Sequence, residues 1–230
     1  MNFLSSIFSM DEFKLFLNDQ KGGLILPISG PPIDDKDWIK YKFLKIDKAV
    51  KSISPEDLPK EFCRDACKLV DEFRRKTVNL DDEWMLYFDY ATGEVIYCFE
   101  GEGGRTGGVY ESVNFENRNI ASIHNHPKKF YSFPSHDNFE ILEKDFEDYE
   151  IICSLNSFWI INYEGILDEK QRHNLHRDLF RIFQTIDSYI KINYSKNMNV
   201  GNMIDEMYSE YMLSYLSNNY DTIKISKMRY

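Results

Sequence analysis

This chain lacks any run of the roughly 18 apolar residues that a membrane-crossing helix needs, so no membrane span is expected. Cysteine is sparse. Four residues (Cys63, Cys67, Cys98, Cys153) in 230 make no disulfide framework. Cys63 and Cys67 sit four apart on one face of an expected helix. They can bind metal with His173 and His176, but burial as small hydrophobes is the simpler reading. A basic excess is missing too. With 28 Lys+Arg against 38 Asp+Glu the net charge is -10, which opposes contact with a phosphate backbone. Nucleic acid is therefore not an expected partner. Arg74-Arg75-Lys76 and Lys224 to Arg229 are the only small basic clusters and read as solvated surface. The opening Met-Asn-Phe-Leu-Ser-Ser lacks a positive segment and a small-residue cleavage site, so a secretory signal is not expected. A reduced, cytoplasmic setting fits these features.

What is present suffices for a substantial core, since 43% of residues are hydrophobic and 15% aromatic. Residues 1–53 are irregular, with a short helix expected from Asp11 to Leu17, and are read as an N-terminal extension. Ser54 then caps a helix, Pro55 suits its first turn, and apolar residues recur at helical spacing from Phe62 to Phe73, so a helix is expected to about Lys76. Strands follow at Trp84 to Tyr90 and Glu94 to Phe99 around Ala91-Thr92-Gly93, a hairpin pattern. A glycine-rich loop spans Gly101 to Gly108, and further strands are expected at Val109 to Val113 and Asn119 to Ile123. Asp137 to Asp148 reads as a helix, Tyr149 to Leu155 with Phe158 to Tyr163 as a second hairpin, and Asp168 to Asn193 and Met203 to Ser217 as helices. The order implies an α/β fold, a mixed sheet packed by helices, with a helical C-terminal extension over 167–230. The apolar face of Leu179, Ile182, Phe183, Ile186 and Ile190 covers the sheet or forms a dimer interface.

The chemistry concentrates at one place. Of five histidines, His124, His126 and His136 fall within thirteen residues, and Asp137 follows His126 by eleven. Two His spaced by one residue on an extended segment point to one side of the chain. His124 and His126 end an apolar strand, and Pro127 turns the chain. Two imidazoles and a carboxylate with a fourth position left for water describe a catalytic zinc site.

The segment His124-Asn125-His126-Pro127, with Pro134-Ser135 and Asp137 behind it, resembles the JAMM (JAB1/MPN/Mov34) metalloprotease motif, and its His-Asn-His-Pro form resembles the related RadC-like proteins. The His126 to Asp137 interval matches the family; Ser135 lies one residue beyond the family's Ser place, which here is Pro134. The likeness covers about residues 54–166 and implies an MPN-like, cytidine-deaminase-like three-layer fold. It implies Zn²⁺ held by His124, His126 and Asp137, Glu83 at the start of a strand as general base, and Ser135 as oxyanion donor. Glu94, Glu100 and Glu111 are rivals for the base. It also implies hydrolysis of an amide or isopeptide bond in a protein or peptide, as at the C-terminus of a ubiquitin-like protein. The loop from Gly101 to Gly108 then folds over the substrate tail or serves only as a hairpin connection. A non-catalytic scaffold that binds a protein partner and a RadC-like, nucleic-acid-associated protein are the competing readings.

Overall fold

A computed structural model describes residues 36–101, 118–128, 131–139, 147–165, 167–194 and 199–230, without the side chain of Asp137. The expected Asp11 to Leu17 helix and Val109 to Val113 strand, Glu111, nearly all of the glycine-rich loop, and the body of the Asp137 to Asp148 helix lie outside these residues. The described part is an α/β structure with one six-stranded mixed sheet and four helices. Helix α1 runs Lys36–Phe43 and α2 Arg64–Thr77; strands β1 Trp84–Asp89, β2 Val95–Glu100, β3 Ile120–Asn125, β4 Tyr149–Cys153 and β5 Ser157–Tyr163 follow. Helices α3 Glu169–Tyr194 and α4 Val200–Asn219 precede β6, Ile223–Arg229. The strand order is β2-β1-β3-β4-β5-β6. Only β3 and β4 pair in parallel; the other pairs are antiparallel. Among the described residues no helix is long and apolar enough to cross a membrane.

The single helix expected from Ser54 to Lys76 is two elements. Ser54 caps a short 3-10 turn, Pro55–Asp57, through a capping box. Pro59 then ends it, because a residue before proline is driven out of the helical region, and Leu58 is extended (φ -104°, ψ 159°). Helix α2 restarts with Cys63 as its cap, the Sγ accepting from the Ala66 amide at 3.4 Å. Its buried stripe of Ala66, Cys67, Val70 and Phe73 faces the sheet. Cys63 and Cys67 are thus committed to cap and core. The β1–β2 hairpin closes through Asp89, whose Oδ1 accepts from the amides of Ala91 and Thr92, and through Gly93 at φ 78°. A Cβ at Gly93 would stand 2.9 Å from the Asp65 Cβ, so glycine is required there.

Helices cover both faces of the sheet. On one, Tyr41 of α1 and the α2 stripe pack on Leu86, Phe88, Ala121, Ile123, Ile151 and Phe158. On the other, α3 and α4 pack on Ile152, Trp159 and Ile161 through Leu175, Leu179, Ile186, Ile204, Tyr208 and Leu216. The apolar stripe of α3 is therefore part of the core. The 167–230 segment, expected as a helical extension, also returns to the sheet: β6 pairs with β5 from Ile223↔Tyr163 to Arg229↔Ser157. Ile223 and Ile225 alternate with Lys224 and Ser226 and pack toward α3 and α4, while Met228 turns to the α2 side.

Candidate metal centre

The site forms where β3 ends. Side chains on a strand alternate between faces, so Ser122 and His124 share the α3/α4 side while Ala121, Ile123 and Asn125 turn to α2. Strand β1 pairs antiparallel with β3, with Met85 opposite His124. Continuing that register by two residues brings Glu83 opposite His126. The carboxylate of Glu83 and the ring nitrogens of His124 and His126 accordingly lie within 4.8 Å of one another, the only such His/Cys/Asp/Glu group among the described residues. His124 Nε2 stands 3.2 Å from His126 Nε2 and 3.7 Å from Glu83 Oε1. His124 is buried; Glu83 and His126 are partly open.

Asn125, between the two histidines, secures Glu83 from the opposite face. Its Oδ1 accepts from the Trp84 amide at 2.7 Å, and its Nδ2 donates to the carbonyls of Asp82 (3.2 Å) and Thr77 (3.1 Å). The peptide groups on either side of Glu83 are thereby tied to the strand that carries the histidines. The Gly101 amide donates to the Glu83 carbonyl at 2.7 Å.

The imidazoles are set to coordinate. His126 Nδ1 is 2.8 Å from the Tyr131 carbonyl oxygen. A carbonyl only accepts, so Nδ1 carries the proton and the lone pair sits on Nε2. Burial holds the His126 pKa below its ordinary value, although the Tyr131 carbonyl and the Glu150 charge act against it. His126 is then neutral at neutral pH, the form metals bind. Two nitrogen ligands about 2.0–2.1 Å from a tetrahedral zinc stand roughly 3.3 Å apart, close to the 3.2 Å found here. The donor set thus fits a divalent metal of the zinc class.

The other expected site residues lie in the connection from β3 to β4. Ser135 leads into a 3-10 turn, His136–Phe139, and its carbonyl accepts from the Asn138 amide at 3.1 Å. Asp137 belongs to that turn, and its side chain lies outside the described part. His136 packs instead on α3, with ring centroids 5.0 Å from His176 and 4.8 Å from Phe180. The two described rivals to Glu83 are engaged elsewhere: Glu94 pairs with Arg118 at 3.7 Å and Glu100 with Lys40.

One group escaped the sequence reading. Glu150, 1% exposed on β4, places Oε1 3.7 Å from His124 Nδ1. Its signal was a lone acid in the otherwise apolar stretch Tyr149-Glu150-Ile151-Ile152-Cys153. Comparison with protein-family models, curated proteins and solved structures returned no match to this chain. The class of the site, a candidate divalent-metal centre, therefore rests on its own geometry.

Proposed function

We propose that the chain is a zinc-dependent hydrolase of amide or isopeptide bonds, built on the JAMM plan. The observation that carries the reading is the meeting of Glu83, from 41 residues upstream, with the paired nitrogens of His124 and His126. Helix α2 followed by β1 ahead of the histidines supports an MPN-like arrangement of residues 54–166. His124 and His126 would hold the metal, with Asp137 as the carboxylate ligand. When bound there, zinc supplies a water acidic near neutral pH and a Lewis acid for the carbonyl. The chain's residues do the rest. Glu83, whose Oε1 is slightly farther from His124 Nε2 than the two imidazole nitrogens are from each other, would take the water's proton and return it to the leaving amine. Ser135 would donate to the oxyanion; removing such a donor costs about 100–1,000-fold in rate.

The substrate class follows the same plan: an extended peptide tail, as at the C-terminus of a ubiquitin-like protein. The test combines zinc titration with hydrolysis of an isopeptide-linked ubiquitin-like probe, in wild type and in Glu83→Gln. We expect one zinc in both and hydrolysis only in wild type. Loss of zinc from Glu83→Gln would make Glu83 a ligand instead of a base. A wild type that binds zinc and cuts no amide would make the protein a scaffold, and a wild type without zinc would sink the reading altogether.

A further inference from the structure

The carboxylate of Glu150 is the feature that neither stability nor the proposed chemistry accounts for. Burying a carboxylate in a sheet costs several kcal/mol unless it is well partnered. Glu150 accepts from Tyr163 Oη on Oε2 at 2.9 Å and from Asn138 Nδ2 on Oε1 at 2.6 Å. The same Oε1 faces His124 Nδ1 at 3.7 Å. Register explains the approach. In the parallel β3–β4 pair Glu150 lies beside Ser122 and Ile152 beside His124, so Glu150 and His124 share one face.

We propose that Glu150 is a positioning residue of the metal centre: it holds the proton of His124 on Nδ1 and ties the turn that carries Asp137 to the strand that carries the histidines. The assignment rests on the metal reading above. Two arrangements compete at His124. In one, Nε2 carries the proton and donates across 3.2 Å to His126 Nε2, which closes the pair against metal and aims the Nδ1 lone pair at a carboxylate. In the other, Nδ1–H faces Glu150 and both Nε2 lone pairs converge. Glu150 favours the second, because an anion attracts the proton-bearing nitrogen and repels the bare one. A carboxylate behind a ligating histidine fixes its tautomer and ring direction, and loss of such a partner costs about 10–100-fold in metal affinity. The Asn138 link adds a second role, since Asn138 follows Asp137 within the same turn.

The experiment is competitive zinc titration of the full chain in wild type and Glu150→Gln, together with ¹⁵N spectra of the His124 imidazole without metal. Folding is checked first by circular dichroism. We expect the wild type to show Nδ1–H and a bare Nε2 at His124. Glu150→Gln should bind zinc about 10–100-fold more weakly and shift His124 toward Nε2–H. A general loss of packing would not exchange the two ring nitrogens. Should Glu150→Gln fail to fold, the metal-free wild-type spectrum still decides the tautomer, and Nε2–H at His124 there would overturn this assignment. Zinc binding in the wild type with affinity and tautomer unchanged in folded Glu150→Gln would overturn this assignment alone. No zinc in the wild type would overturn the metal reading and this assignment together.

Discussion

The two faces of the central strand pair are equally buried and chemically opposite. Toward α2, β3 and β4 present Ala121, Ile123, Ile151 and Cys153, all at 0% exposure. Toward α3 and α4 they present Ser122, His124 and Glu150 beside Ile152, all at 3% or less. The first face is explained by transfer free energy, about 1.5–3 kcal/mol for each large apolar side chain removed from water. Asn125 is its polar exception, and all three of its bonds go to backbone groups. The second face gains little from burial and must meet the desolvation cost with hydrogen bonds. Groups kept under those terms mark function more often than stability. Burial alone does not separate the two faces; partners do.

Exchanging the losses is the sharpest way to break that contrast. His124→Asn should abolish zinc binding, a loss beyond the roughly 100-fold that marks an outer partner, and barely move the melt of the metal-free chain. Ile123→Ala, one residue away on the other face, should do the reverse: about 2–5 kcal/mol of stability lost, with zinc affinity kept once folded. Denaturant melts with and without chelator, alongside zinc titration, decide it. If His124→Asn destabilises the metal-free chain as much as Ile123→Ala does, the polar face is core after all.

Asn125 joins the two faces, and its removal should give an intermediate effect. Asn125→Ala strips partners from the Trp84 amide and the carbonyls of Thr77 and Asp82. Buried groups left unpaired cost about 1–3 kcal/mol each, less where water enters. Because those peptides flank Glu83, hydrolysis should fall while His124 and His126 still bind zinc. Equal loss of zinc and hydrolysis would show that Asn125 supports the histidines directly.

What the sequence disclosed follows from the range of the forces involved. Strands and hairpins were legible because alternation and turn residues such as Gly93 are local, and the histidine pair was legible because a strand fixes side-chain direction. The break at Pro59 was equally local, but the helical spacing from Phe62 onward obscured it. The meeting of Glu83 with His126 depends on β1–β3 register, a tertiary fact that only the family resemblance anticipated. Helix α1 was hidden in residues read as irregular, since its one buried side chain, Tyr41, gains its meaning from Phe73 and Trp84. Strand β6 alternated only from Ile223 to Ser226 before Met228 broke the phase, and its place needed β5 beside it.

The contrast extends to how each face is covered, where acid gives the smallest effect. The α2 cover is tied by the buried Arg74, which donates to backbone carbonyls of Lys51 and Leu155, whereas α3 and α4 are tied to each other by a carboxylate, Tyr215 Oη donating to Asp178 Oδ2 at 2.9 Å. Burial tends to raise the Asp178 carboxyl, but hydrogen bonds from Arg177 and Tyr215, with the charges of Arg177 and Arg181, outweigh it and hold the pKa below its ordinary value. A carboxyl depressed in the folded state adds stability above the unfolded pKa, near 4, and that stability fades as pH falls through the folded value. Asp178 is about a third exposed, so solvent screening keeps the contribution under about 1 kcal/mol. Tyr215→Phe should therefore cost a small amount of stability at pH 7 and less at an acid pH below the depressed folded value, where the carboxyl of both chains is protonated. Paired melts at the two pH values read the difference. An equal cost at both would mean that the Tyr215 hydroxyl acts through packing and not through the Asp178 charge.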